Sequence, residues 1–393
     1  MFAALNNGLI EAPPRFGTGN VKVEVYGAED WPRIAPVWSL LAATSPYSSF
    51  YIGESWTSLW LEFFGKLLQP QILLFEAEGV PVGVCLLVRD VERRGLFRVS
   101  RIYLNTGAGT TGERPFMEFN SLLCLAGWEE RVAEALGDHV RSLEWDEFAI
   151  EGICPSPILS QIQVNAIPKL SARVTVQSSC YVDLDHLRKQ KKPYQSSLSP
   201  NTRQQVRRSI RRYERFGSIT LESASDLSMA KQFFEEMCRL HQARWNGRGQ
   251  RGGFGPGRRL EFHRALIQRA FPKGGVHLLR VTAGRETLGV LYNFVQHGKI
   301  YFFQSGFNYG LDGSAKPGLV THALAIQNYL DAGFSDYDFL VGDAQYKRSL
   351  ATDRRPLEWV VFSRPGLKLA AIELLRAMKH RINGNGNGDN LAA

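Results

Sequence analysis

Two distant stretches of this chain carry the same pattern. Residues 73–88, LLFEAEGVPVGVCLLV, and residues 278–295, LLRVTAGRETLGVLYNFV, each run from an apolar strand through a glycine turn into a second strand entered at Gly-Val. Alternation and turn chemistry make each an antiparallel hairpin. Each also follows a Trp-containing helical stretch, SPYSSFYIGESWTSLWLEFFG in the first case and AKQFFEEMCRLHQARWNGRG in the second. A repeated order of helix, loop, hairpin and further strand predicts a duplicated module, hence two similar α/β domains. The boundary is expected between residues 168 and 179, giving an N-terminal domain over 1–170, a second over 171–365 and a tail over 366–393. A chain of 393 residues with 44 % hydrophobic content can bury two such cores.

The second module is easier to follow. KIYFFQSGFN reads as an apolar strand and YGLDGSAKPG as a glycine-rich loop. Pro317 suits a first helical position, and Leu319, Ala323, Ile326 and Leu330 recur at helical spacing until Gly333 closes the element. The strand DYDFLVG, residues 336–342, comes next. A loop leading into a helix start offers unpaired N–H groups and the positive end of the helix dipole, which suit a phosphate or pyrophosphate. Ser314 and Lys316 add contacts there.

The net charge of +9 is local. Between His186 and Gly217 stand ten arginines and lysines and one acid, Glu214, so this segment carries the whole excess. Arg203, Arg207 and Arg211 form one helical stripe and Val206, Ile210 and Tyr213 another. Such an excess suits an anionic partner: cofactor phosphates, a lipid surface or nucleic acid. No helix-turn-helix pattern accompanies it, so DNA is not expected.

Cys85, Cys124, Cys154, Cys180 and Cys238 are odd in number, scattered and without C-x-x-C spacing. That argues against a disulfide framework and against a zinc site, and no metal is expected. The longest apolar run, residues 80–88, is about half of the roughly 20 residues a spanning helix needs. The first residues lack a secretory pattern, so a cytoplasmic location is expected. A basic amphipathic helix over 367–382 leaves peripheral contact with the inner membrane surface open, and the tail after it is expected to be disordered.

The runs NTRQQVRRSIRRYERFG, LHQARWNGRGQRGGFG and SAKPGLVTHALAIQNYLDAGFSDYDFLVGDAQYKRSLA resemble the cellulose-biosynthesis-type (CelD/BcsL-like) acetyltransferase family of the GNAT superfamily, which is related to the FemAB-type aminoacyl transferases. GESWTSLWLEFFG and EFNSLL, which begins at Glu118, resemble the family's N-terminal module, and the resemblance spans residues 31–365. It implies an α/β (α+β) fold of tandem duplicated GNAT-like domains, with mixed, mostly antiparallel sheets flanked by helices. A splayed central pair of strands would hold the acyl donor, in or beside the second domain. The implied donor is acyl-CoA or acetyl-CoA, held by Gln304, Gly313, Ser314, Lys316, Gly318 and Leu319. The family's usual Gln/Arg-x-x-Gly-x-Gly/Ala loop is not kept, because DGSAKPGLV has its glycine and helix start at another spacing.

Acylating an amine from a thioester requires a base for the amine, donors for the oxyanion and a proton for the leaving thiolate. Asp338 alternates onto the face of Asp336 and Leu340, away from Tyr337 and Phe339. Three roles are open to it: base, orienter of Lys347, or structural acceptor of backbone N–H groups. By resemblance, Lys347 holds an anionic group or stabilises the oxyanion, and Tyr346 protonates the thiolate. His241 and Trp245 share a helix face, where His241 is a base or a hydrogen-bonded core residue. Arg244 and Trp245 are assigned to the substrate, and the glycine- and arginine-rich loop over 246–259 reads as a lid over an anionic ligand.

Three functions fit these residues. The leading one is an N-acyltransferase moving an acyl group from acyl-CoA to an amine of an envelope polysaccharide precursor, or to a sphingoid-type lipid amine as similarity to bacterial ceramide synthases allows. The second takes aminoacyl-tRNA as donor, as FemAB-type enzymes do. The third is a non-catalytic GNAT scaffold in a polysaccharide synthase complex.

Overall fold

The computed structural model describes residues 20–105, 115–163, 170–247, 249 and 252–384. Its strands are β1 (Val21–Tyr26), β2 (Gln71–Ala77), β3 (Val80–Arg94), β4 (Phe97–Leu104), β5 (Leu123–Cys124), β6 (Glu147–Ile153), β7 (Ser171–Asp183), β8 (Ile219–Ser223), β9 (Val276–Ala283), β10 (Glu286–Gln296), β11 (Lys299–Phe307), β12 (Asp336–Val341) and β13 (Asp353–Ser363). Both expected hairpins form, β2–β3 and β9–β10. Their turns explain why. Glu78 and Gly79 both have positive φ, and Gly284 takes positive φ at the first turn position, the geometries that match the twist of paired strands.

All thirteen strands join one mixed, mostly antiparallel sheet with helices on its faces, in the order β1-β2-β3-β4-β6-β13-β7-β12-β11-β10-β9-β8, with β5 on β3. The two halves repeat one another. In the first, the helix Glu129–Ser142 crosses from β4 to a parallel β6; in the second, Pro317–Asp331 crosses from β11 to a parallel β12. Each parallel pair is bonded over three residues only, Arg101–Tyr103 against Glu147–Ala149 and Lys299–Tyr301 against Asp336–Asp338, and then separates.

The closing strands are exchanged between the halves. β7 bonds β12 of the second half, whereas β13 bonds β6 of the first, and β7 and β13 pair with each other at the centre. One aromatic core spans both halves. Phe50 stacks on Phe294 at 4.4 Å between ring centroids, and Trp56 meets Phe262 edge-on at 5.2 Å. Such ring pairs contribute about 0.5–1.5 kcal/mol each beyond their burial.

The gaps left by the two parallel pairs differ. Between β4 and β6 the gap is filled by polar side chains: Asn105 donates to Asn120 Oδ1 at 2.7 Å and to the Ser121 carbonyl at 2.6 Å, and Asn120 donates to the Leu104 carbonyl at 3.1 Å. Among the described residues no such asparagine network joins β11 to β12.

The expected C-terminal helix spans Leu367–Gly384 and buries Ile372, while Lys368 reaches Asp146 and the Arg98 carbonyl. Leu367, Leu374, Leu375 and Met378 are exposed. The tail expected to be disordered lies, beyond residue 384, outside the described residues, as do the first nineteen residues. Among the described residues no helix is long and apolar enough to cross a membrane. Cys238 packs in the aromatic core.

Candidate active site

The separation of β12 from β11 begins at Asp338. Its Oδ1 accepts the Ser179 hydroxyl at 2.5 Å and the Leu340 amide at 2.8 Å, and its Oδ2 faces Arg355 Nε at 3.3 Å without hydrogen-bond geometry. Leu340 has φ of +61°, a conformation that costs a non-glycine residue about 1–2 kcal/mol. The strand shifts register there, between Asp338 and Val341. Of the three roles open to Asp338, the geometry contains the structural one: it caps the bulge that turns β12 away. The carboxyl is 1 % exposed; burial raises its pKa, and Arg355, Ser179 and the Leu340 amide oppose the rise.

Lys347 lies on the short helix Gln345–Leu350, just beyond the strand. Its Nζ donates to the Leu340 carbonyl at 3.0 Å and the Val341 carbonyl at 2.7 Å. This lysine is buried, at 9 % exposure, rather than solvated. Burial lowers its pKa, against the pull of Glu118 and Asp338. Gly342 makes the approach possible: its φ is +132°, and a Cβ there would stand 3.2 Å from Nζ.

A residue that the sequence did not single out completes the cluster. Glu118, on the segment between β4 and β5, reaches across from the first half and accepts the Val341 amide with Oε2 at 2.8 Å. Burial lifts its carboxyl to about 7, aided by Asp338 and opposed by the Val341 amide and Lys347. Glu118 and Lys347 therefore grip the N–H and the C=O of one residue where β12 separates from β11.

His241 lies across that gap. Its Nδ1 donates to the Ser305 carbonyl at 3.2 Å, on the part of β11 that β12 has left, while Nε2 is buried without a partner. Burial lowers its pKa, so the ring is neutral. The glycine-rich loop lies against it, with Phe254 5.7 Å away between rings. Gly306 permits the close contact of strand and helix here, since a Cβ would meet the Met237 carbonyl oxygen at 2.3 Å. Arg244 stacks on Tyr309 at 3.8 Å, and Trp245 lies 6.0 Å from His241. Tyr346 instead stacks on His322 of the helix Pro317–Asp331, at 5.7 Å.

The loop before that helix is organised by Asp312. Its Oδ1 accepts the amides of Ser314 at 2.9 Å and Ala315 at 3.2 Å, and both Arg212 and Arg215 donate to the carboxylate. The carboxyl is held down to about 2, the Arg212 hydrogen bond being the largest cause. An internal anion thus occupies the amides assigned to a pyrophosphate at Ser314. The Lys316 amide donates to Ser209 Oγ at 3.1 Å, and Gly313 has open space around it. At the helix start, Gly318 and Leu319 keep N–H groups that make no backbone hydrogen bond among the described residues. Gln304, on the separated part of β11, bonds its own neighbour, Ser305.

Residues 200–348 match the family described as the acetyltransferase (GNAT) domain. That stretch, under half of the chain, is similar to a GNAT-type acetyltransferase domain. The matched stretch contains β8 to β12, the open gap and Lys347, whereas Glu118 lies outside it. Among solved structures the chain is similar to FemX, with a TM-score of 0.56 and 10 % identity over 87 % of this chain and 98 % of that one. It is also similar to a conserved protein of unknown function from Bacteroides thetaiotaomicron VPI-5482, with a TM-score of 0.50 and 10 % identity over 88 % and 100 %. At such identity the likeness is one of fold. No curated protein matches the chain. The comparisons reach the GNAT domain and not the narrower cellulose-biosynthesis-type or ceramide-synthase families.

Proposed function

We propose that this protein is an N-acyltransferase that receives acyl-CoA in the gap between β11 and β12 and acylates an amine between Glu118 and Lys347. The observation that carries the reading is the arrangement at Val341: a carboxyl of raised pKa on its amide and a buried ammonium on its carbonyl, beside a gap that no strand fills. A carboxyl near neutrality is suited to take the proton that a neutral amine releases as it attacks. Lys347 has three N–H donors, and the two carbonyls use two, which leaves one for the oxyanion.

The amine nitrogen attacks the thioester carbon, and its proton passes to Glu118. The C–S bond then breaks, the amide forms, and the thiolate leaves as coenzyme A thiol after receiving that proton. Asp338 and Arg355 position the strand and take no part in proton transfer. Gly318 and Leu319, with the exposed Lys316 side chain beside them, receive the donor's pyrophosphate. His241, Arg244 and Trp245 face the acceptor from the helix side. An amine of an envelope precursor or of a sphingoid-type lipid is the acceptor that the family resemblance favours, reached from the cytoplasmic side of the inner membrane.

The test is release of free thiol from acetyl-CoA and palmitoyl-CoA with glucosamine or sphinganine as acceptor. Release that depends on an amine and is lost in Glu118→Gln supports the reading. Absence of release with every pair, together with absence of coenzyme A binding, contradicts it.

A further inference from the structure

The segment between β7 and β8 builds a layer of its own. Three helices, Leu184–Lys189, Tyr194–Ser197 and Pro200–Tyr213, lie along the helix Pro317–Asp331. Arg188 fixes one end by donating to the Phe334 carbonyl at 2.5 Å, the Tyr194 amide donates to Gln327 Oε1 at 2.8 Å in the middle, and Ser209 accepts the Lys316 amide at 3.1 Å at the other end. The layer therefore runs the length of that helix, about 22 Å at 1.5 Å per residue. Leu184, Leu187, Tyr194, Leu198, Val206 and Tyr213 are buried beneath it and Ile210 is half-buried.

The outer face is almost purely basic. Lys189, Lys191, Lys192, Arg207, Arg208 and Arg211 are exposed and make no ion pair among the described residues. Other basic residues of the layer are committed elsewhere: Arg203 to the Leu198 carbonyl, Arg212 and Arg215 to Asp312. A basic last turn complements the dipole of the helix Pro200–Tyr213, which accounts for Arg211 and Arg212. It does not account for three unpaired lysines on a neighbouring element, or for arginines repeated at i, i+4, where like charges repel.

We propose that this layer is the face by which the protein lies on an anionic lipid bilayer. Its form favours a bilayer over a nucleic acid. Single-stranded nucleic acids are held by aromatic side chains interleaved with basic ones, and here both tyrosines point inward. The exposed basic residues extend from the end of one helix to the next, beyond the concavity that Arg203, Arg207, Arg208, Arg211, Arg212 and Arg215 line along the helix Pro200–Tyr213. Phe216, 40 % exposed at the end of the layer and next to Arg215, is placed to enter the headgroup region. Because Ser209 is bonded to the Lys316 amide, one end of the layer adjoins the loop before the gap, and docking brings that opening to the membrane surface. This inference does not rest on the acyl-transfer reading and can fail or stand without it.

Flotation of the full chain with vesicles tests it. Binding is expected to phosphatidylcholine–phosphatidylglycerol vesicles and not to phosphatidylcholine alone, and to weaken as salt rises. Replacing Arg207, Arg208 and Arg211 together by Gln is expected to reduce partition on the order of a hundredfold, at about fivefold per charge. A second variant, with Lys189 at the end of a different helix and Lys191 and Lys192 in the turn after it changed to Gln, is expected to lose a similar amount. The control variant Arg93→Gln, Arg98→Gln, Lys231→Gln removes the same net charge from other surfaces and is expected to bind like wild type. Equal binding to neutral vesicles, undiminished binding by both layer variants, or an equal loss in the control would overturn the proposal. So would tight binding of single-stranded RNA, abolished by the layer variants, with no vesicle binding.

Discussion

Glu118 and Lys347 come from opposite halves of the chain and hold the same residue, Glu118 accepting the Val341 amide at 2.8 Å and Lys347 donating to the Val341 carbonyl at 2.7 Å. The proposed base and the proposed oxyanion donor are thereby fixed to one stretch of backbone, at the edge where β12 leaves β11. Neither half supplies both groups.

Changing Glu118 to Gln keeps an acceptor for the Val341 amide and removes the base. The turnover rate is expected to fall by about 10²- to 10⁴-fold, the usual scale for a general base, with little change in the melting temperature. Steady-state thiol release and a thermal melt on the same preparation check both halves of the expectation.

The pH dependence has a sign for stability as well as rate. Glu118 titrates at about 7 in the fold, above its ordinary 4.5, so the protonated form stabilises the fold. That contribution is full below 4.5 and is lost as pH rises through about 7. The rate has the opposite slope, rising through the same window as the base is freed. In Glu118→Gln the stability slope between those values is expected to flatten in chemical denaturation followed across pH.

Lys347→Met leaves the Leu340 and Val341 carbonyls without their donor, in a buried place. A loss of about 1–3 kcal/mol in unfolding free energy is expected for such unpaired groups. The ammonium also lowers the Glu118 pKa, so in this variant the acid limb of any residual activity moves to higher pH. A limb that stays in place would separate Lys347 electrically from Glu118.

Asp312 acts as a built-in anion at the loop that precedes the helix Pro317–Asp331. Its ion-paired carboxylate stabilises the fold above its ordinary pKa, and this is lost as pH falls through about 2. Asp312→Ala frees two amides and two guanidinium groups at one place. Inorganic pyrophosphate, titrated calorimetrically, is expected to bind this variant more tightly than wild type.

Gly306→Ala forces a methyl group toward the Met237 carbonyl oxygen, which is backbone and cannot swing aside. A cost of about 1–3 kcal/mol is expected, as for other overpacked contacts, measured as a lower denaturation midpoint at unchanged slope.

Much of the fold is legible in local pattern. The hairpins at Gly79 and Gly284, the helix begun by Pro317 and the strand Asp336–Val341 all follow from alternation, turn residues and helical spacing, which act over a few residues. The exchange of β7 and β13 is not legible, because it depends on pairing between residues far apart in sequence. The same distance hides Glu118. In MEFN it is one acid among many, and its pKa rises only when the fold packs it against Val341 and Lys347. Lys347 is legible by resemblance, but its burial is not. Asp312 could have been read locally: an aspartate two residues before Ser314 is a common way to satisfy loop amides, which would have signalled that the anion site was already taken.

The most direct measurement is amide hydrogen exchange of the full chain with and without acetyl-CoA and palmitoyl-CoA. New protection is expected along residues 302–307 of β11 and 339–342 at the end of β12, together with Gly318 and Leu319. Binding of either donor with protection confined to other segments would contradict a donor site between the two strands, and with it the account of Glu118 and Lys347 as its catalytic pair.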